Sequence, residues 1–279
     1  MKRILLPTDF STNSLHAIDY ALNFFKGDEA HFVFLNIQKS SEYITDDLLT
    51  ASPNSSVHEA ISSDNTEKLE ALEAKYREEF TSGSYTFESI FDFDVFIDAI
   101  AQIVRAKNID LIIMGTNGAS NAKEVIFGSN TLQVIRHISC PVLAIPEDFD
   151  YKTAEKVLLS IHNNEIPSRA ALAPLLQLIK KHDFEIHVLG IYESGCTQSE
   201  EEELRKKLAT NLPGISPIFH TMENIPAPSA IESFTQLTQT DMHAVFIKEQ
   251  SFLDRLIGGT DTSKLSYHTN IPLFVLKAG

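Results

Sequence analysis

Lys2-Arg-Ile-Leu-Leu-Pro-Thr-Asp9 returns as Glu155-Lys-Val-Leu-Leu-Ser-Ile-His162, and that recurrence decides the fold. Three more segments follow the same pairing. Phe32-Val-Phe-Leu-Asn-Ile37 is echoed by Ile186-His-Val-Leu-Gly-Ile191, and Asp110-Leu-Ile-Ile-Met114 by Asp241-Met-His-Ala-Val245. Arg136-His-Ile-Ser-Cys-Pro-Val-Leu-Ala-Ile145 is echoed by Tyr267-His-Thr-Asn-Ile-Pro-Leu-Phe-Val-Leu276. The offset is 153–154 for the first two pairs and 131 for the last two, so about 23 residues of the first copy are missing from the second. The Ser/Asp-rich stretch Lys39–Asp64 is the extra piece. A repeat of this length means one unit written twice, with domains expected at 1–147 and 152–279 and the acidic connector Pro146–Thr153 as a short linker.

Within the first copy, apolar β-branched runs predict strands at 2–8, 31–38, 85–91, 109–115 and 141–145. Between them, apolar residues three and four apart predict helices near 12–26, 64–80, 94–107 and 129–138. Strands that are apolar throughout, each followed by a helix, predict an α/β fold with a parallel sheet covered on both faces.

The 279 residues are 43% hydrophobic, enough for buried cores and too many for a disordered chain. No apolar stretch reaches the roughly 18 residues of a membrane helix. The apolar run Ile4-Leu5-Leu6 is too short for a signal peptide, so a cytoplasmic protein is expected, with no membrane partner. Two cysteines, Cys140 and Cys196, make neither a disulfide framework nor a zinc motif, and no metal site is expected. Cys140 reads as a buried small hydrophobe. The formal charge of −15 repels phosphate backbones and disfavours nucleic acid as a partner. Basic side chains are sparse, so main-chain amides would have to do most of the work in any phosphate binding.

In an open parallel sheet, ligands settle beyond the carboxyl ends of the strands. Strand one ends in Pro7-Thr8-Asp9, strand two in Asn36-Ile37 and strand four in Met114-Gly115-Thr-Asn-Gly118; Gly128-Ser129-Asn130-Thr131 then opens a helix. Glycine frees main-chain amides from side chains, and a helix start adds unpaired N–H groups and a positive dipole end. The hydroxyls of Ser129 and Thr131 are further donors. A carboxylate at Asp9 suits a ribose hydroxyl or a base amine, and the Ile37 main chain suits an adenine edge. Each feature also has a plain structural reading: glycines that turn a loop, Ser11 and Ser129 as helix caps. On chemistry alone the two readings stand level.

Gly115-x2-Gly118-x9-Gly128-Ser129, with Asp9 after strand one, resembles the nucleotide motif of the universal stress protein family, and Arg136-His-Ile-Ser-Cys-Pro-Val-Leu resembles that family's last helix-to-strand junction. The likeness runs once through each half. It implies two tandem five-stranded parallel-sheet sandwiches, Rossmann-like and similar to the adenine nucleotide alpha hydrolases, and a stress-response regulatory role with ATP as ligand, Mg²⁺ being left open. By position, Asp9 and Ile37 would hold the adenosine, and Thr8 and Met114 are further candidate nucleotide-binding residues. Gly115, Gly118, Gly128 and Ser129 would hold the phosphates, with Asn130 and Thr131 beside them.

Phe91-Asp92-Phe93-Asp94 lacks the glycine often found after strand three; its carboxylates read as a helix cap in preference to a metal ligand set. The second copy is expected to bind no nucleotide, since His162 replaces Asp9 and the loop after strand four has no glycine before Gly258-Gly259. His162 reads as packed or solvated, not catalytic. No catalytic residue is assigned: Ser-His-Asp, Cys-His and Walker patterns are all missing, and slow ATP hydrolysis is the most the sequence allows. A nucleotide-free scaffold and a weak ATPase remain the alternatives to a nucleotide-binding regulator, and no residue pattern identifies a protein partner. Strands 141–145 and 272–276, equivalent and apolar, are expected to pair as an internal pseudo-dimer, hiding two sheet edges; a further homodimer is left open.

Overall fold

The structure, a computed structural model, describes residues 1–38, 57–81, 84–116, 127–248 and 270–277. The chain folds as two compact units, Met1–Asn121 with Ser129–Cys140, and Ala122–Gly128 with Pro141–Gly279.

In the first unit the elements are β1 (Lys2–Pro7), α1 (Thr12–Phe24), β2 (Glu29–Gln38), α2 (Val57–Glu79), β3 (Ser84–Phe93), α3 (Phe96–Lys107), β4 (Leu111–Gly115) and α4 (Ser129–His137). The strands lie in the order β3-β2-β1-β4, and β1 runs parallel to both β2 and β4. Ile4, Leu5, Leu6, Phe32, Val33, Phe34 and Ile112 are fully buried, as strands covered on both faces require. Aromatic rings fill the space under α2: Phe34 stacks on Phe87 at 5.8 Å and on Tyr76 at 5.9 Å.

The predicted elements recur, with one shift. Helix α2 begins at Val57, seven residues before the expected start, inside the Ser/Asp-rich stretch. That composition favours turns, yet the helical spacing supplies local partners: Lys68 Nζ pairs with Asp64 at 2.6 Å and the Ser63 hydroxyl donates to Glu67 at 3.2 Å. Residues 39–56, the rest of that stretch, lie outside the described residues.

The second unit contains β5 (Val142–Ile145), β6 (Lys156–His162), α5 (Arg169–His182), β7 (Glu185–Tyr192), α6 (Gln198–Asn211), β8 (Ile218–Glu223), α7 (Ala227–Thr238), β9 (Met242–Ile247) and β10 (Leu273–Lys277). Their order is β5-β10-β9-β6-β7-β8. Among the described strands of this unit the pairings are parallel except that of β5 with β10, which is antiparallel with Phe274 opposite Leu143. The two terminal strands of the repeats therefore pair as expected. All of Val142–Ile145 and Leu273–Leu276 are buried, so the pairing satisfies backbone groups on strands that have no polar face to offer water.

A shared detail marks the two repeats. The Asp110 N–H donates to the Arg3 carbonyl at 2.9 Å while its carboxylate accepts from the Arg3 N–H at 2.8 Å. Asp241 makes the same reciprocal pair with Lys156, at 2.9 and 3.0 Å. Burial alone would raise the Asp241 carboxyl, but bonds from Lys152 and the Lys156 and Glu155 amides outweigh it and hold it below the ordinary range.

Candidate functional site

The site is built where β1, β2 and β4 end beside one another in the first unit. Pro7 lies opposite Leu35, and Leu5 opposite Ile112. Just past β1, the Thr8 N–H donates to the Leu35 carbonyl at 2.8 Å, and the Asn36 side-chain amide donates to the Thr8 carbonyl at 2.7 Å. The buried Thr8 hydroxyl lies 2.9 Å from that of Ser14 and accepts the Phe10 N–H at 3.0 Å. Phe10, at φ 60, makes the left-handed turn that carries the chain from strand to helix.

Asp9 stands exposed at this turn. Its Oδ1 accepts from the Ser11 N–H at 3.0 Å and the Ser11 hydroxyl at 2.5 Å, while the Ser11 side chain caps α1 by accepting the Ser14 N–H. Burial opposes the charge on Asp9, but the Ser11 bonds, side chain and then main chain, outweigh it and hold the carboxyl below the ordinary aspartate range. Asp9 thus braces the cap while keeping an ionised carboxylate at the surface.

Gly115 ends β4, and a Cβ built there would lie 2.6 Å from Asn13 Oδ1 and 2.9 Å from its Nδ2. Real Cβ atoms do not approach so closely, so this glycine lets the first turn of α1 close on the strand. Its carbonyl accepts the hydroxyl of Thr131 at 2.8 Å, which ties the start of α4 to the end of β4. Thr131 is 2% exposed, so its hydroxyl is committed inward. Ser129 and Asn130, in contrast, are exposed in the first turn of α4, which carries no acidic residue. Gly128 and Ile37 are half-buried, and Met114 is buried. Gly118 lies outside the described residues.

Reasoning from the sequence misses the polar floor under these strand ends. Asn13, Ser14, Asn36 and Thr116 are all buried there. The Asn36 Oδ1 and Thr116 Oγ1 atoms make no hydrogen bond among the described residues. Lone amides or hydroxyls within apolar strands, such as Asn36 after Phe32-Val-Phe-Leu35, are the signal that could have found it. Past β3, Asp94 accepts from the Val95 N–H at 2.7 Å and from Gln102 at 3.1 Å; the N-cap of α3 is Val95, with no side-chain cap bond, so the capping role expected from sequence is not what these carboxylates do.

In the second unit the position of Asp9 is taken by His162, 3% exposed, with Nε2 3.7 Å from a Glu193 oxygen. It is packed, one of the two states the sequence allows. The other Glu193 oxygen accepts the Ala227 N–H at 3.1 Å, so a carboxylate of the chain itself occupies the start of α7. Gly258, Gly259 and Thr260 lie outside the described residues. Cys140 is buried and donates to the Ile109 carbonyl at 3.5 Å; burial pushes its thiol up to about 12. Among the described residues no group of three or more His, Cys, Asp or Glu side chains could hold a metal ion, and no helix is long and apolar enough to cross a membrane.

The model of the universal stress protein family matches residues 1–146. A universal stress protein of Methanocaldococcus jannaschii is 27% identical over 152 residues, covering 52% of this chain and 94% of its own. A second from the same organism is 28% identical over 144 residues, covering 52% and 81%. Over the whole length, the crystal structure of a universal stress protein from Archaeoglobus fulgidus superposes with a TM-score of 0.72 at 20% identity, covering 99% of this chain and 98% of that one; a likeness at that identity speaks to the fold. With a family model spanning more than half its length, the chain belongs to the universal stress protein family.

Proposed function

We propose that the first repeat binds an adenine nucleotide, ATP foremost, and that the protein is a stress-response regulator whose second repeat binds none. The observation that carries this reading is the convergence made by the Thr131–Gly115 hydrogen bond. It brings the exposed start of α4, with Ser129 and Asn130 and no acidic residue in its first turn, to the strand end beside Thr8 and Asp9. Amides at a helix start suit phosphates, and an ionised acceptor at Asp9 suits a ribose hydroxyl. Ile37 and Met114 would border the base, and Gly115, Gly118, Gly128, Ser129, Asn130 and Thr131 the phosphates, with Mg²⁺ as an accompanying ion where present. Bound nucleotide supplies charge that orders the site and alters contacts with a protein partner. The repeats divide at 147–152 and form an internal pseudo-dimer, and the protein works in the cytoplasm.

Titration calorimetry of the full chain with ATP tests this. Ser129→Glu puts a carboxylate at the first helical position, where the dipole tolerates it but a phosphate does not. Heat in the wild type that Ser129→Glu and Asp9→Ala both lose supports the site. Equal heats in all three, or none in the wild type, sink it.

One observation favours a second reading, a nucleotide-free interaction module. The space a Cβ would need at Gly115 is already filled by Asn13, so that glycine has a structural reason to be there.

A further inference from the structure

The second unit carries a chain of titratable side chains unrelated to the candidate site. His187 of β7 and His220 of β8 lie on one face of the sheet, both against Phe234 of α7, at 6.0 and 4.8 Å between ring centroids. His187 Nε2 is 2.7 Å from Glu185 Oε1, and His187 Nδ1 is 3.0 Å from His220 Nε2. The two imidazole planes are within 12° of each other, so the N–H of one ring points at the nitrogen of the next.

With both rings neutral and Glu185 ionised, those distances are compatible with one arrangement of protons. The carboxylate of Glu185 only accepts, so Nε2 of His187 carries a hydrogen. Neutral His187 then has a bare Nδ1, which must accept from Nε2–H of His220. We infer that Glu185, His187 and His220 form a one-proton relay that holds the edge strand β8 in place and releases it when a second proton arrives.

The first proton is accommodated. It bonds to His220 Nδ1; the His220 Nε2–H bond breaks as that hydrogen passes to His187 Nδ1. Positive charge thus moves to His187, beside Glu185, and the hydrogen bond survives with its direction reversed. On the two rings, a second proton has only His220 Nε2 to go to. There it meets the Nδ1–H of His187, donor against donor, with two imidazolium rings in contact.

The surroundings do not relieve that state. Arg205 of α6, lying over the Phe219 ring at 4.9 Å, adds a further positive charge that its 2.7 Å pairing with Glu201 only partly offsets. Lys156 of β6 stands opposite Glu185 in the sheet and donates from its Nζ to the Thr238 carbonyl at 3.4 Å, while α7 presents Phe234. Burial first, then His187 and Arg205, hold His220 below the ordinary histidine range. The element able to yield is β8, which has β7 as its one neighbour among the described strands; edge strands are where local opening starts.

The test is amide hydrogen exchange of Ile218–Glu223 in the full chain, corrected for intrinsic rate, at about pH 7 and about pH 4.5. His220→Phe keeps an aromatic ring against Phe234 and removes the relay. Exchange of β8 relative to β6 rising about tenfold on acidification in the wild type, and not in His220→Phe, supports the relay. No acceleration in the wild type, or the same acceleration in both, overturns it. Should His220→Phe fail to fold, imidazole nitrogen shifts of the wild type decide. Two coupled steps seen at both rings support the relay, and independent titration of each ring overturns it.

Discussion

The hydroxyl of Thr131 reaches the main-chain carbonyl of Gly115 at 2.8 Å, out of contact with solvent. A parallel strand and the helix that follows it are thereby held at a fixed separation where a ligand would sit. The bond has a stability signature of its own. Thr131→Val leaves the carbonyl buried and unpaired, a cost of about 1–3 kcal/mol, whereas Thr131→Ser keeps the bond and loses only a methyl group. Urea denaturation should separate the two variants by about 1–2 kcal/mol. Equal midpoints would show that the bond contributes nothing.

Gly115 and Asn13 should be coupled. The Cβ introduced by Gly115→Ala meets the Asn13 side chain at 2.6–2.9 Å, and overpacking of this kind costs about 1–3 kcal/mol. Shortening the neighbour with Asn13→Ala should recover most of that loss in the double variant. A double-mutant cycle measures it, and strict additivity would place the strain elsewhere.

These two contacts mark the boundary of what can be read from the chain. The repeats, the parallel strands and the pairing of β5 with β10 are legible because they depend on local apolar runs. The start of α1 is legible because Ser11 is a capping residue beside a periodic helix. That Gly115 faces Asn13, and that Thr131 turns inward while Ser129 and Asn130 stay outside, depends on how α1 and α4 approach β4. No spacing encodes that approach. For the same reason the glycine motif points to a ligand without revealing that one of its glycines also accommodates a neighbouring side chain.

Acid should weaken the second unit through His243. This side chain is fully buried, with Nε2 2.7 Å from the Ser160 hydroxyl, and burial lowers it to about 3 from an ordinary 6.5. A histidine depressed in the folded state contributes stability that is present above 6.5 and is lost as pH falls towards 3. Across that window the loss from one such group approaches about 1.4 kcal/mol per pH unit. His243→Leu should flatten the stability profile between about pH 6 and pH 4. An unchanged slope would mean that His243 titrates normally.

Asp9 should show its two roles separately. Asp9→Asn keeps an acceptor for the Ser11 donors but loses the charge, so stability should fall by less than about 1 kcal/mol. Under the nucleotide-binding reading, affinity for ATP should fall by more than about tenfold. Comparable losses in thermal stability and in calorimetric affinity would mean that Asp9 acts only as a brace for the helix cap.

The most direct measurement is a crystal structure of the full chain grown with a non-hydrolysable ATP analogue. The account predicts density in the first repeat alone, its phosphates against the start of α4 at Ser129 and its ribose at Asp9. An empty cleft there at saturating nucleotide, or nucleotide bound in the second repeat instead, would contradict it.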